Sequence, residues 1–77
     1  MNTPSVITVD DMPALVIPDK QGLWTVIGIP HAVVAWGESR AIAVERFAET
    51  LVMEEQHGLE HVPPAPAWYQ ELYGRLT

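Results

Sequence analysis

The sequence predicts an α+β fold: three or four mainly antiparallel strands forming a sheet, one long helix packed on one face, and a short C-terminal helix. Three observations carry this. Short β-branched and alternating runs fill the chain up to Gly37, the apolar period switches from 2 to 3.6 after Ser39, and a proline tract separates the long helical stretch from a last aromatic segment.

Val6-Ile7-Thr8-Val9 is a β-branched run and predicts a first strand. Asp10-Asp11-Met12-Pro13 mixes turn-forming residues with a proline that opposes helix formation, so a turn is expected there. Ala14-Leu15-Val16-Ile17 predicts a second strand, closed by Pro18-Asp19-Lys20-Gln21-Gly22, where proline sets one dihedral and glycine supplies the positive φ of a tight reversal. Residues 23–29 alternate, with Leu23, Thr25, Ile27 and Ile29 on one face and Trp24, Val26 and Gly28 on the other. Apolar groups on both sides predict a sheet covered on both faces, or covered in part by another chain. Pro30-His31 turns the chain into Ala32-Val33-Val34-Ala35-Trp36, a further strand ended by Gly37.

Ser39 is placed to cap a helix through its hydroxyl, and the neighbouring Glu38 puts negative charge at the positive end of the dipole. From Arg40 the apolar residues Val44, Phe47, Ala48, Leu51 and Val52, supported by Ala41, recur at three- and four-residue spacing. Gly58 is the terminator, so the helix is expected over Arg40–His57. Val62-Pro63-Pro64-Ala65-Pro66-Ala67 predicts a stiff extended connector, not a core strand. It leads to a nine-residue helix that sets Trp68, Leu72 and Leu76 one turn apart, flanked by Tyr69 and Tyr73. So short a helix must dock: on its own sheet, on a second copy, or in a partner's groove. Burial of Trp68 and Leu72 would contribute about 3–6 kcal/mol before entropy. The expected division is therefore a β-β-β-α domain over residues 1–61 and a proline-rich arm with an aromatic helix over residues 62–77.

At 77 residues the chain has room for one small core, and with no cysteine there is neither a disulfide nor a thiolate metal cluster to reinforce it. That cysteine usage fits a reducing cytoplasm, and no signal peptide or membrane span is expected. Ten acidic against four basic side chains give a net charge of −6, which repels a phosphate backbone and attracts basic proteins. Six acids against two arginines between Glu38 and Glu60 place most of that charge on the long helix and its exit. Glu45, Glu49, Glu54 and Glu55 are the expected partner-binding acids, and Trp68, Tyr69, Leu72, Tyr73 and Leu76 the expected oligomer or partner contacts. The charged helix has a plain solubilising reading beside the docking one.

A catalytic or metal reading finds little to build on. His57 and His61 have the spacing of two ligands on one helix face with Glu54 a turn earlier, but Gly58 between them breaks that face. His31 lies in a proline turn with no nucleophile at short range, and the five glycines never cluster into a phosphate-cradling loop. No catalytic residue, metal or cofactor is expected.

The order of residues from 14 to 66 resembles the HicB-like antitoxin domain. The matching positions are Gly22-Leu23-Trp24-Thr25-Val26, Pro30, Gly37-Glu38-Ser39 and Ala43, then Gly58 and Val62-Pro63-Pro64-Ala65-Pro66, similar to the family's Gly-x-x-(Ile/Val)-Pro exit. The resemblance implies a degraded ribonuclease-H-like β-β-β-α-β fold without an active site, acting by masking a small basic messenger-RNA-cleaving toxin. Two departures stand out. The family's proline-glycine-cysteine turn is shortened to Pro30-His31-Ala32, and residues 68–76 are too short for a ribbon-helix-helix or helix-turn-helix module, so operator binding does not carry over. The family's fourth strand falls either on residues 59–62 or, at the sheet edge, on residues 6–9. The expected function is a non-catalytic inhibitor of a basic partner, acting as a homodimer or higher oligomer. The alternatives are a structural oligomerisation unit and an acidic nucleic-acid mimic.

Overall fold

The computed structural model describes residues 3–77. It is an antiparallel meander of four strands, β1 (Ser5–Val9), β2 (Met12–Pro18), β3 (Trp24–Gly28) and β4 (Val34–Gly37), in sheet order 1-2-3-4. Helix α1 (Arg40–His57), a 3-10 turn (Leu59–His61) and helix α2 (Ala67–Leu76) follow. The α+β architecture, the Ser39 cap and the bounds of the long helix are as the sequence predicts.

The first reversal is tighter than expected. Asp10 and Asp11 alone form it, both at positive φ (47° and 66°), and Val9 pairs directly with Met12. This is the two-residue hairpin whose twist matches that of the flanking strands. Met12 and Pro13 therefore belong to β2 and not to the turn. The second reversal keeps Gly22 at φ 88°, with the Asp19 carboxylate accepting from the amides of Gln21 at 2.7 Å and Leu23 at 2.9 Å.

The sheet is covered on both faces because β2 and β3 are apolar at consecutive positions. Met12, Ala14, Val16 and Val26 point to one side, where Ala43, Phe47 and Leu51 of α1 pack on them together with Val33 and Ala35. Leu15, Ile27 and Ile29 point to the other, where Ala65 and the α2 residues Tyr69, Leu72 and Tyr73 cover them. The α1 stripe is rotated from its expected position: Ala43 is buried, while Val52 and Ala41 are exposed. Gly37 explains the close seating of the helix, since a Cβ there would lie 2.7 Å from Ile42 Cγ2 and 2.9 Å from the Ala43 nitrogen.

To reach the second face the chain rounds the end of the sheet. The Ala32 amide donates to Pro63 O (2.7 Å) and the Ala65 amide to Ile29 O (3.0 Å). His31 lies 2.9 Å through Nδ1 from Val62 O, and since a carbonyl only accepts, Nδ1 carries the proton. The proline segment is extended, as expected, and it is also stapled to the β3–β4 turn. Residues 59–62, one candidate for a fourth strand, hold the 3-10 turn Leu59–His61 with Val62 just past it, and residues 6–9 supply the sheet edge instead.

Candidate protein interface

The aromatic helix docks in cis, and it does so with part of its expected stripe. Tyr69, Leu72 and Tyr73 are half-buried against the second core, whereas Trp68 remains 59% exposed and Leu76 43% exposed. The Trp68 ring stands edge-on to Tyr69 at a centroid distance of 4.7 Å. Gln70 anchors the helix by donating from Nε2 to Ile29 O at 2.9 Å. Helix α2 packs chiefly on β1 and β2, and the outward-facing Val34 and Trp36 of β4 remain exposed.

The four expected acids on α1 do not share one face. Glu45 and Glu49 are one turn apart and exposed; Glu55 is exposed on a different side. Glu54 lies about 180° around the helix from Glu45 and is half-buried. Val52, 48% exposed, lies between Glu45 and Glu55 around the helix, and Met53, 60% exposed, lies on the other side of Glu49. Among the described residues no lysine or arginine lies within ion-pair distance of an α1 carboxylate; the one close cation-capable contact is His61 Nε2 to Glu60 Oε1 at 3.9 Å.

Nor do the histidines converge. Gly58 ends α1 at φ 98° between His57 and His61, while His31 is engaged with the proline arm. Among the described residues no group of three histidine or acidic side chains is arranged to hold a metal ion. No helix is long and apolar enough to cross a membrane.

One surface lay outside the expected sites. An open groove of about 330 Å³ runs between the outer edge of β4 and α1, lined by Val34, Ala35, Trp36, Arg46, Glu49 and Thr50. Trp36, 59% exposed, faces the side that α2 leaves uncovered, and Arg46 Nη1 donates to the Trp36 carbonyl at 3.1 Å. The sequence signal was present in a strand of both-sided apolar residues next to a short link, but strand order, and hence which strand is an edge, was not.

No family model, no curated protein and no solved structure matches the chain.

Proposed function

We propose that this chain is a non-catalytic protein-binding module of the HicB-like antitoxin type, which masks a basic partner such as a small ribonuclease toxin. The observation that carries this reading is the solvent-facing half of α1, over which Glu45 and Glu49, Glu55 on a separate side, and the apolar Val52 and Met53 are all exposed. The exposed valine and methionine add apolar area to a charged surface. Carboxylates steer and orient a cationic partner, while the apolar side chains supply area that a bound protein removes from water. The succession β2-β3-β4-α1 with its glycine and proline exit is consistent with the HicB-like pattern, and the net charge of −6 favours a basic target.

The test is capture from the native host followed by inhibition. The expected result is a small basic protein retained at low salt, released as salt rises, and silenced as a ribonuclease when the chain is added back. Charge reversal of Glu45 and Glu55 together should weaken capture at least tenfold, with the circular dichroism unchanged. Retention of no basic protein at low or moderate salt overturns the reading.

A further inference from the structure

Helix α1 carries a second stripe, on the flank that overlooks the free edge of β4. Ile42, Arg46, Glu49 and Met53 follow at intervals of four, three and four residues and so lie in one row. Ile42 and Met53, at the ends of the row, are both exposed, and Arg46 and Glu49, in its middle, line the groove beside β4. The row reads apolar, cation, anion, apolar. Turned end to end against a copy of itself, it sets Ile42 against Met53 and Arg46 against Glu49 at both crossings.

The strand below has the same symmetry. The Val33 carbonyl accepts from the Gly28 amide of the neighbouring strand, whereas the Trp36 carbonyl is turned the other way, to Arg46. Backbone groups alternate along an antiparallel strand, so the N–H and C=O of Val34 and Trp36 point out of the sheet. Pairing centred on Ala35 would bring Val34 of each copy opposite Trp36 of the other, with N–H and C=O groups exchanged in both directions. On the uncovered sheet face the exposed Val34 and Trp36 side chains would then pack across the new strand pair.

We propose that two copies of this chain join edge to edge through β4, fusing two four-stranded sheets into one of eight, with Arg46 swinging from the Trp36 carbonyl to Glu49 of the second copy. The Trp36 carbonyl exchanges a side-chain donor for a backbone donor, so no polar group is stranded. A closed two-fold pair also removes an open strand edge that would otherwise recruit other chains. The edge is suited to a second copy because its charges cancel against themselves, whereas the rest of an acidic chain repels its like. Masking of a basic partner does not require this pairing, although Glu49 and Met53 border both surfaces; Glu45, Val52 and Glu55 belong to the masking face alone.

Sedimentation of the full chain measures it, with charge reversal as the diagnostic. The expected result for the native chain is a reversible dimer. Arg46→Glu and Glu49→Arg each should weaken it about tenfold or more, since every substitution counts twice across a two-fold axis. An equimolar mixture of the two variants should restore dimer, because every crossing again joins a cation to an anion. Trp36→Ser, at an exposed position, should also dissociate it while leaving the circular dichroism intact. A chain that stays monomeric up to roughly millimolar concentration overturns the proposal. A dimer indifferent to Trp36 and Arg46 but broken by Trp68→Ser overturns it too, by moving the contact to α2. Either result leaves the capture experiment free to succeed or fail separately.

Discussion

Pro13 leaves the carbonyl of Ile29 without a ladder donor, and the C-terminal segment takes that acceptor. Ile29 donates its amide to Pro13 O at 2.9 Å, one half of the reciprocal bond expected at this register of β2 and β3. Proline has no N–H with which to return it. The Ile29 oxygen instead accepts from the Ala65 amide at 3.0 Å and from Gln70 Nε2 at 2.9 Å. An imino acid in β2 thus creates the point at which the proline arm and α2 fasten to the back of the sheet.

Gln70→Ala should therefore destabilise the protein by about 1 kcal/mol in urea denaturation, although the residue is exposed. Pro13→Ala returns an N–H aimed at the same oxygen. Amide exchange from Ala65 through α2 should then accelerate while exchange in the middle of α1 is unchanged. Unaltered exchange at Ala65 would show that the proline has no part in fastening the arm.

The two ends of the aromatic stripe should behave differently. Leu72→Ala removes a side chain packed on the second core and should cost about 1–2 kcal/mol, less than a fully buried leucine. Trp68→Ala, the larger truncation, should change stability by under about 0.5 kcal/mol, because the ring faces solvent. Equal losses in thermal melts would contradict the docked orientation of α2.

Two glycines offer a matched contrast. Gly37→Ala drives a methyl into the backbone nitrogen of Ala43 and the Ile42 side chain, and should cost about 1–3 kcal/mol. Gly74→Ala, within α2, meets nothing within 4 Å and should stabilise by about 0.5–1 kcal/mol. Chemical denaturation midpoints moving in opposite directions would check both.

The Asp10-Asp11 turn is improvable. Both residues hold positive φ, and Asn-Gly is the pair best suited to that geometry. Replacing Asp10 by Asn and Asp11 by Gly should raise stability by up to about 1 kcal/mol, read as a higher melting temperature. A lower one would mean that the carboxylates contribute to the turn more than the strain they bear.

Local elements were legible wherever short-range chemistry decides them. Ser39, Gly58 and the spacing of Phe47 and Leu51 mark α1, since caps and a 3.6-residue period act within a turn or two of the chain. The alternation over residues 23–29 left two readings, a sheet covered on both faces or one covered in part by another chain, and in the structure the chain's own α1 and α2 cover both faces. The rotation of α1 that buries Ala43 and exposes Val52 was not legible. It depends on how near Gly37 lets the helix approach β4, which is a property of two elements and not of one.

The candidate surfaces divide in the same manner. Net charge and the run of acids on α1 are sums over the sequence, but their separation around the helix, with Glu54 turned half inward, follows from which side meets the sheet. Trp36 and Trp68 are chemically equal candidates for a core, and nothing adjacent to either in the chain distinguishes them from the half-buried Trp24.

By itself the sequence determined most of the elements, their order, the helix caps and the acidic balance, because these depend on neighbours a few residues away. Only the tertiary structure decided that α2 is the cover of the second face, that Val34 and Trp36 of β4 remain exposed, and that Arg46 and Glu49 lie beside an open strand edge. Those relations join residues far apart in the chain, and they are settled by which surfaces exclude water together.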